Sequence, residues 1–277
     1  MVALLNGPLP AALWLRTDLM SANDFWAEQL AAWAIPSEIL AQAPTSPWIH
    51  PVELFQVDPA VPVSLNRASQ IALEALPEGG SVLDVGCGGG RGALALAERA
   101  GLLIGVDHQP EMLKKFAEAA GAKKLEHQEI LGDWPAVADE APIADIAIAH
   151  HVIYNVADLT RFAVSMNAHA KYRVVLEAPR HHPLSHMADL WLHFWGLERP
   201  VGPIAEDAIA VITEAGIPAQ IEFFQDGPTK VIPIEKQVEF ARIRLCLPES
   251  KDVEIREILE NRIEQPRELS TIWWTVK

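Results

Sequence analysis

Along this chain two rhythms of polar and apolar positions alternate from about residue 66 onward. Segments of strand length stand at 82–85, 102–106, 124–130, 144–149, 172–177, 220–224 and 271–276. Between them apolar residues recur at i, i+3, i+4 and i+7, which places them on one face of a helix. Ala68, Ile71, Ala72 and Ala75 form one such face. Met112, Leu113, Phe116 and Ala117, at i, i+1, i+4 and i+5, form another helical face, with Gly121 placed to end it, and Leu159, Phe162, Ala163 and Met166 form a third. Ala208, Val211, Ile212 and Ala215 form a fourth, stopped by Gly216. Strands alternating with helices through short loops specify an α/β fold with a parallel, doubly wound sheet.

Three stretches depart from that rhythm. The first 62 residues hold eight of the 21 prolines and four of the nine tryptophans (Trp14, Trp26, Trp33 and Trp48), so only short helices are expected there, at about 23–34 and 36–41. Their aromatic rings must be buried against the rest of the chain, and the mouth of a binding site is the expected place. Residues 1–62 thus read as a helical cap, and 63–277 as the α/β domain. Insertions at about 179–203 and 234–262 follow the fifth and sixth strands, so both can overhang the carboxyl edge of the sheet. The first carries His181, His182, His186 and His193; the second reads as two amphipathic helices. Pro183 interrupts any helical pairing of His182 with His186 and no Cys is near, so no metal site is expected. Trp191, Phe194 and Trp195 are spaced for packing.

Candidate chemistry begins at Val82-Leu83-Asp84-Val85-Gly86-Cys87-Gly88-Gly89-Gly90, a strand running into a glycine turn, with a helical pattern from Arg91. Glycines at 86, 88 and 90 permit dihedrals that a β-carbon disfavours and let a ligand approach the main chain. A carboxylate on an apolar strand is costly unless satisfied, and Asp84 two positions before the turn suits a nucleoside better than a phosphate. No Lys follows the glycines, as a Walker loop requires, and Arg91 stands where the dinucleotide fingerprint needs its third glycine. The second strand ends at Asp107, 21 residues past Gly86, near the spacing at which an acidic residue accepts hydrogen bonds from a ribose. An N-cap for the helix starting near Pro110 is the alternative reading of Asp107.

These residues make the chain resemble the class I S-adenosylmethionine-dependent methyltransferases, whose first motif reads apolar, acidic, apolar, G-x-G-x-G. The resemblance implies a mostly parallel seven-stranded sheet with an antiparallel last strand, and S-adenosyl-L-methionine as cofactor. The residues it places at that cofactor are Asp84, Gly86, Cys87, Gly88, Gly90, Asp107, His108 and His150, with Asp133 meeting the adenine amine and Trp134 lying against its ring. After the fourth strand come His150, His151 and Tyr154, in place of the Asn/Asp-Pro-Pro-aromatic motif of the enzymes that methylate DNA bases. This is similar to the enzymes acting on small molecules, and these three residues are the candidates for a general base, His being able to accept a proton near neutral pH. A dinucleotide-binding oxidoreductase and a non-catalytic binding protein are the alternatives.

The formal net charge of −15 argues against a nucleic-acid partner, because an acidic surface repels phosphate. Cys87 and Cys246 offer neither a disulfide framework nor metal spacing, which fits a reducing cytoplasm. No apolar stretch is long enough to span a bilayer, and the N-terminus lacks the basic region of a secretory signal. The sequence does not encode a legible oligomeric state.

Overall fold

The computed structural model describes residues 20–48, 65–225, 232–262 and 267–277. Its strands are β1 (Gly80–Val85), β2 (Ala100–Asp107), β3 (Glu126–Leu131), β4 (Ala144–His150), β5 (Ala170–Pro179), β6 (Gln220–Gln225) and β7 (Glu268–Thr275). They form one sheet in the order β3-β2-β1-β4-β5-β7-β6. Strands β1 to β5 pair in parallel, and β7 runs antiparallel between β5 and β6. The order reverses between β1 and β4, where the loops leaving two neighbouring carboxyl ends diverge and open a crevice.

The helices are α1 (Ala22–Ala31), α2 (Ser37–Leu40), α3 (Arg67–Ala75), α4 (Arg91–Leu94), α5 (Pro110–Ala122), α6 (Leu159–Ala168), α7 (Ala188–Trp195), α8 (Ala205–Glu214), α9 (Ile234–Arg244) and α10 (Asp252–Glu260). Successive residues of a strand point to opposite faces, and β1 shows the result. Leu83 and Val85 enter the core shared with Phe162 of α6 and Ile212 of α8, whereas Val82 enters the core shared with Ile71 of α3 and Phe116 of α5. A third core, outside the sheet, joins Ile39 of α2, Trp191 of α7, Val238 of α9 and Ile255 of α10. The indole of Trp195 ties it together by donating to the Leu245 carbonyl at 2.7 Å.

Three local expectations change. The helix after the glycine turn lasts one turn, because only nine residues separate Gly90 from the start of β2. Gly121 lies inside α5, and the reversal falls instead at Lys124, whose φ is 58°. The first helix ends at Ala31, short of Ala34. Gly216, at φ 81°, does follow the end of α8.

Helix α1 rests on the flank made by α6 and α8. Trp26 is fully buried there, its indole donating to the Val156 carbonyl at 2.7 Å, and Trp33 donates to the Gly202 carbonyl at 2.6 Å. Trp48 is exposed. Trp14 and Pro51, Pro59 and Pro62, which carry the rest of the expected cap, lie outside the described residues.

Candidate active site

The glycine turn is closed from beneath by the sheet. The amides of Gly86 and Cys87 both donate to the Val106 carbonyl, at 2.8 and 3.0 Å, which pins the turn to the end of β2. Gly86, Gly88 and Gly90 all have positive φ. A β-carbon on Gly86 would lie 2.5 Å from Cγ2 of Val152, so the turn packs directly against the segment that follows β4. Gly88 faces open space: nothing lies within 4 Å of where its β-carbon would be. Gly105, unremarked in the sequence, makes room below, since a side chain there would strike the Cys87 sulfur and the Phe116 ring, both 2.9 Å away. The Cys87 thiol therefore points into the core, and burial pushes its pKa well up.

Two carboxylates flank this turn. Asp107 ends β2, accepting from the Gly88 amide at 3.0 Å through one oxygen and from the Gln109 amide at 2.9 Å through the other. It is not the cap of α5: Gln109 holds the N-cap position. Each carboxylate oxygen has a second lone pair, so Asp107 can still accept from a diol placed over Gly88. His108 stands beside it, largely exposed, with Nδ1 3.7 Å from the Asp107 carboxylate. Asp84 is buried beneath the turn, where it accepts from the Ala93 amide at 3.0 Å. Burial raises its pKa to about 7, against the opposing effect of that hydrogen bond. Such a carboxyl takes up negative charge readily only when a cation approaches.

At the tip of β3 the structure separates the two expected adenine contacts. Asp133 is exposed, whereas the Trp134 ring turns into the core and meets His169 edge-on, 4.9 Å away. His169 caps the far end of α6 and its carbonyl accepts from the first residue of β4, so this ring points toward the amino edge of the sheet. Trp134 is apolar enough to be drawn under the sheet's flank, and no ring from it covers the crevice.

The two histidines after β4 differ sharply. His150 is the last residue of the strand and faces inward. Its Nδ1 lies 3.1 Å from where a Gly92 β-carbon would sit, and Asp84 Oδ2 lies 3.2 Å from that same point. Burial lowers its pKa, with Glu177 opposing that shift. His151 adopts φ 60° and half exposes its ring, with Nε2 3.3 Å from Glu177 Oε1. Tyr154 is buried, its hydroxyl lying 2.9 Å from each of the carbonyls of Pro179 and Arg180 and its ring against Trp26 and His182. It is occupied as a strut between the β4 and β5 loops. Glu177, on β5 directly beside His150, was not visible as a site residue from sequence; a lone acidic residue in an apolar strand is the only signal it gives.

A family profile described as a methyltransferase domain matches residues 82–172 of the chain. None of the curated proteins matches the sequence. Among solved structures, the YcgJ protein of Bacillus subtilis superposes with a TM-score of 0.51 at 16% identity, covering 76% of this chain and 98% of its own. A Galdieria sulphuraria protein described as a candidate sarcosine dimethylglycine methyltransferase gives 0.52 at 15% identity, covering 76% and 83%. A candidate methyltransferase of Bacillus halodurans gives 0.50 at 16% identity, covering 76% and 97%. At such identities these likenesses establish the fold.

Proposed function

We propose that this chain, whose residues 82–172 match a methyltransferase-domain profile on a seven-stranded, mostly parallel sheet, is an S-adenosylmethionine-dependent methyltransferase that transfers the methyl group of that cofactor to a small molecule held at the carboxyl edge of the sheet. The observation that carries the reading is the pairing of Asp107 with the open face of Gly88: a carboxylate with spare lone pairs beside main chain that a ribose can approach. The cofactor supplies a methyl on a sulfonium, displaced in line from a neutral thioether. Asp107, with His108 beside it, holds the ribose; Asp84 lies beneath the turn as a counter-charge for the cationic end; Asp133 remains available to the adenine amine. Trp134 is left out of the adenine contact by its orientation, and Tyr154 out of proton transfer by its burial and its two carbonyl partners.

What the protein contributes beyond binding is position. Holding the acceptor atom roughly 3–3.5 Å from the methyl carbon and in line can supply about 7–11 kcal/mol of the barrier. The third core, in which α7, α9 and α10, on segments that leave the carboxyl ends of β5 and β6, pack with α2 of the N-terminal segment, supports reading the described residues 20–48 together with 179–203 and 234–262 as the cap that encloses the acceptor. The net charge of −15 favours a neutral or cationic acceptor over nucleic acid. Among the described residues no helix is long and apolar enough to cross a membrane. The dinucleotide reading is disfavoured by Arg91 at the third fingerprint position.

Calorimetry with S-adenosylhomocysteine tests the reading. Binding to the wild type, weakened at least about tenfold in Asp107→Ala by loss of hydrogen bonds to a charged group, is the expected result. No heat with either protein would overturn it.

A further inference from the structure

Asn66, His151 and Glu177 come from three separate segments and meet at the tips of β4 and β5. Asn66 caps α3, its Oδ1 accepting from the Ser69 amide at 3.0 Å. Its amide nitrogen donates to Glu177 Oε2 at 2.5 Å. The other Glu177 oxygen lies 3.3 Å from His151 Nε2 and 4.0 Å from His150 Nδ1. The His151 amide also donates to the Glu177 carbonyl at 2.7 Å. Glu177 is almost fully buried, so its charge is neutralised locally or not at all. Burial alone would raise its pKa, but the two histidines and Asn66 bring it below the ordinary carboxylate range.

We propose that Glu177, held by Asn66, positions His151 as the proton acceptor of methyl transfer, so that the acceptor group is one that must lose a proton: a hydroxyl or a primary or secondary amine. This rests on the methyltransferase reading and deepens it. A carboxylate only accepts hydrogen bonds, so the imidazole nitrogen facing it carries the hydrogen and Nδ1 keeps its lone pair. Val152, the next residue, touches Gly86, which brings His151 to the rim of the cofactor turn. His150 points inward toward Gly92 and is not the base. In the step, a lone pair of the acceptor oxygen or nitrogen forms the bond to the methyl carbon. The carbon–sulfur bond breaks with its electron pair going to sulfur, and the acceptor's proton passes to Nδ1 of His151. The resulting imidazolium is stabilised by the Glu177 carboxylate. An unsupported φ of 60° at a non-glycine residue costs free energy, and here it is what turns the ring over Glu177.

The test uses the full-length protein. Imidazole 15N shifts by NMR, which report the ring tautomer, are compared in wild type, Glu177→Gln, Glu177→Asp and Asn66→Ser, the last keeping a helix cap but losing the reach to Glu177. The neutral His151 ring should carry its hydrogen on Nε2 in wild type and in Glu177→Asp, lose that preference in Glu177→Gln, where Asn66 holds the amide oxygen and the amide NH2 faces the ring, and change less in Asn66→Ser. An unchanged His151 tautomer in Glu177→Gln overturns the proposal. Labelled S-adenosylmethionine is then offered with a phenol, a primary amine and pyridine. Phenol or amine turnover should fall in kcat about 10²-fold or more in His151→Ala, with a smaller fall in kcat and an unchanged KM for S-adenosylmethionine in Glu177→Gln. Methylation of pyridine alone, which has no proton to lose, overturns it too. Calorimetry with S-adenosylhomocysteine on the same variants separates the readings: binding retained with an unchanged His151 tautomer in Glu177→Gln sinks the dyad alone, and no binding by the wild type sinks the methyltransferase reading.

Discussion

Burial raises the Asp84 pKa to about 7, whereas the unfolded value is near 3.8. Between those values the folded chain keeps a proton that the unfolded chain has released, so stability falls as pH rises through the window and levels off above about 7. At about 1.4 kcal/mol per tenfold change in proton affinity, the ionised carboxylate costs on the order of 4 kcal/mol. Asp84→Asn removes that cost but weakens the hydrogen bond to Ala93, worth about 1 kcal/mol. Denaturant unfolding should therefore show a larger gain in stability for Asp84→Asn at pH 8 than at pH 5.5, while affinity for cationic S-adenosylmethionine drops. An equal gain at both pH values would mean that Asp84 is not strained by its charge. At Gly86 the conflict is steric. With φ at 69° and Val152 Cγ2 2.5 Å from the added atom, Gly86→Ala should displace the β4 loop and abolish S-adenosylhomocysteine binding. The same substitution at Gly88, where the space is open, should cost backbone strain only and leave measurable binding in a calorimetric titration.

Among the elements, the docking of the N-terminal segment carries its own pH dependence. His182 stacks on Trp33 with ring centroids 3.9 Å apart, and its Nδ1 accepts from the Leu184 amide, which requires that nitrogen to be unprotonated. Burial, reinforced by the Arg199 guanidinium, lowers its pKa to about 4. The unfolded chain takes up a proton below about 6.5 and the folded chain resists until about 4, so stability is lost as pH falls through that interval. Tryptophan fluorescence should report loosening of this contact on acidification, and His182→Phe should flatten the response between pH 6.5 and 4; an unaltered slope would place the acid sensitivity elsewhere. The central strands β1, β2 and β4 are legible in the sequence because burial on both faces leaves apolar runs with few alternatives, and the glycine turn is legible because its dihedrals exclude most other residues. Asp107 is legible for the same reason, by its place at a strand end. Glu177 is not: its role depends on Asn66, 111 residues away, and on His151, contacts that no local pattern encodes. Nor is the direction of the Trp134 ring, since an indole beside a polar turn can cover a ligand or enter the core with equal local logic.

At the scale of the whole molecule, the carboxyl edge brings several buried or half-buried ionisable groups together on a chain with a net charge of −15. The fold carries them because helices on both sheet faces and a separate core in the cap segments supply apolar burial elsewhere. A ligand that satisfies the edge should therefore act on the entire fold. At a hundredfold excess over its Kd, a ligand that binds only the folded state adds about 2.7 kcal/mol, and for a chain of this size each kcal/mol is worth roughly 2–4 °C in melting temperature. S-adenosylhomocysteine should accordingly raise the midpoint of wild-type unfolding by several degrees. Asp107→Ala should lose most of that rise, because the carboxylate fixes Gly88 as well as offering lone pairs to the ribose. His151→Ala should keep it, because the imidazole acts on the acceptor, and it is the neighbouring Val152 that packs against Gly86 of the cofactor turn. A scan in which both variants lose the rise equally would mean that the tip of β4 holds the nucleoside itself, and that the acceptor must enter the crevice from another side.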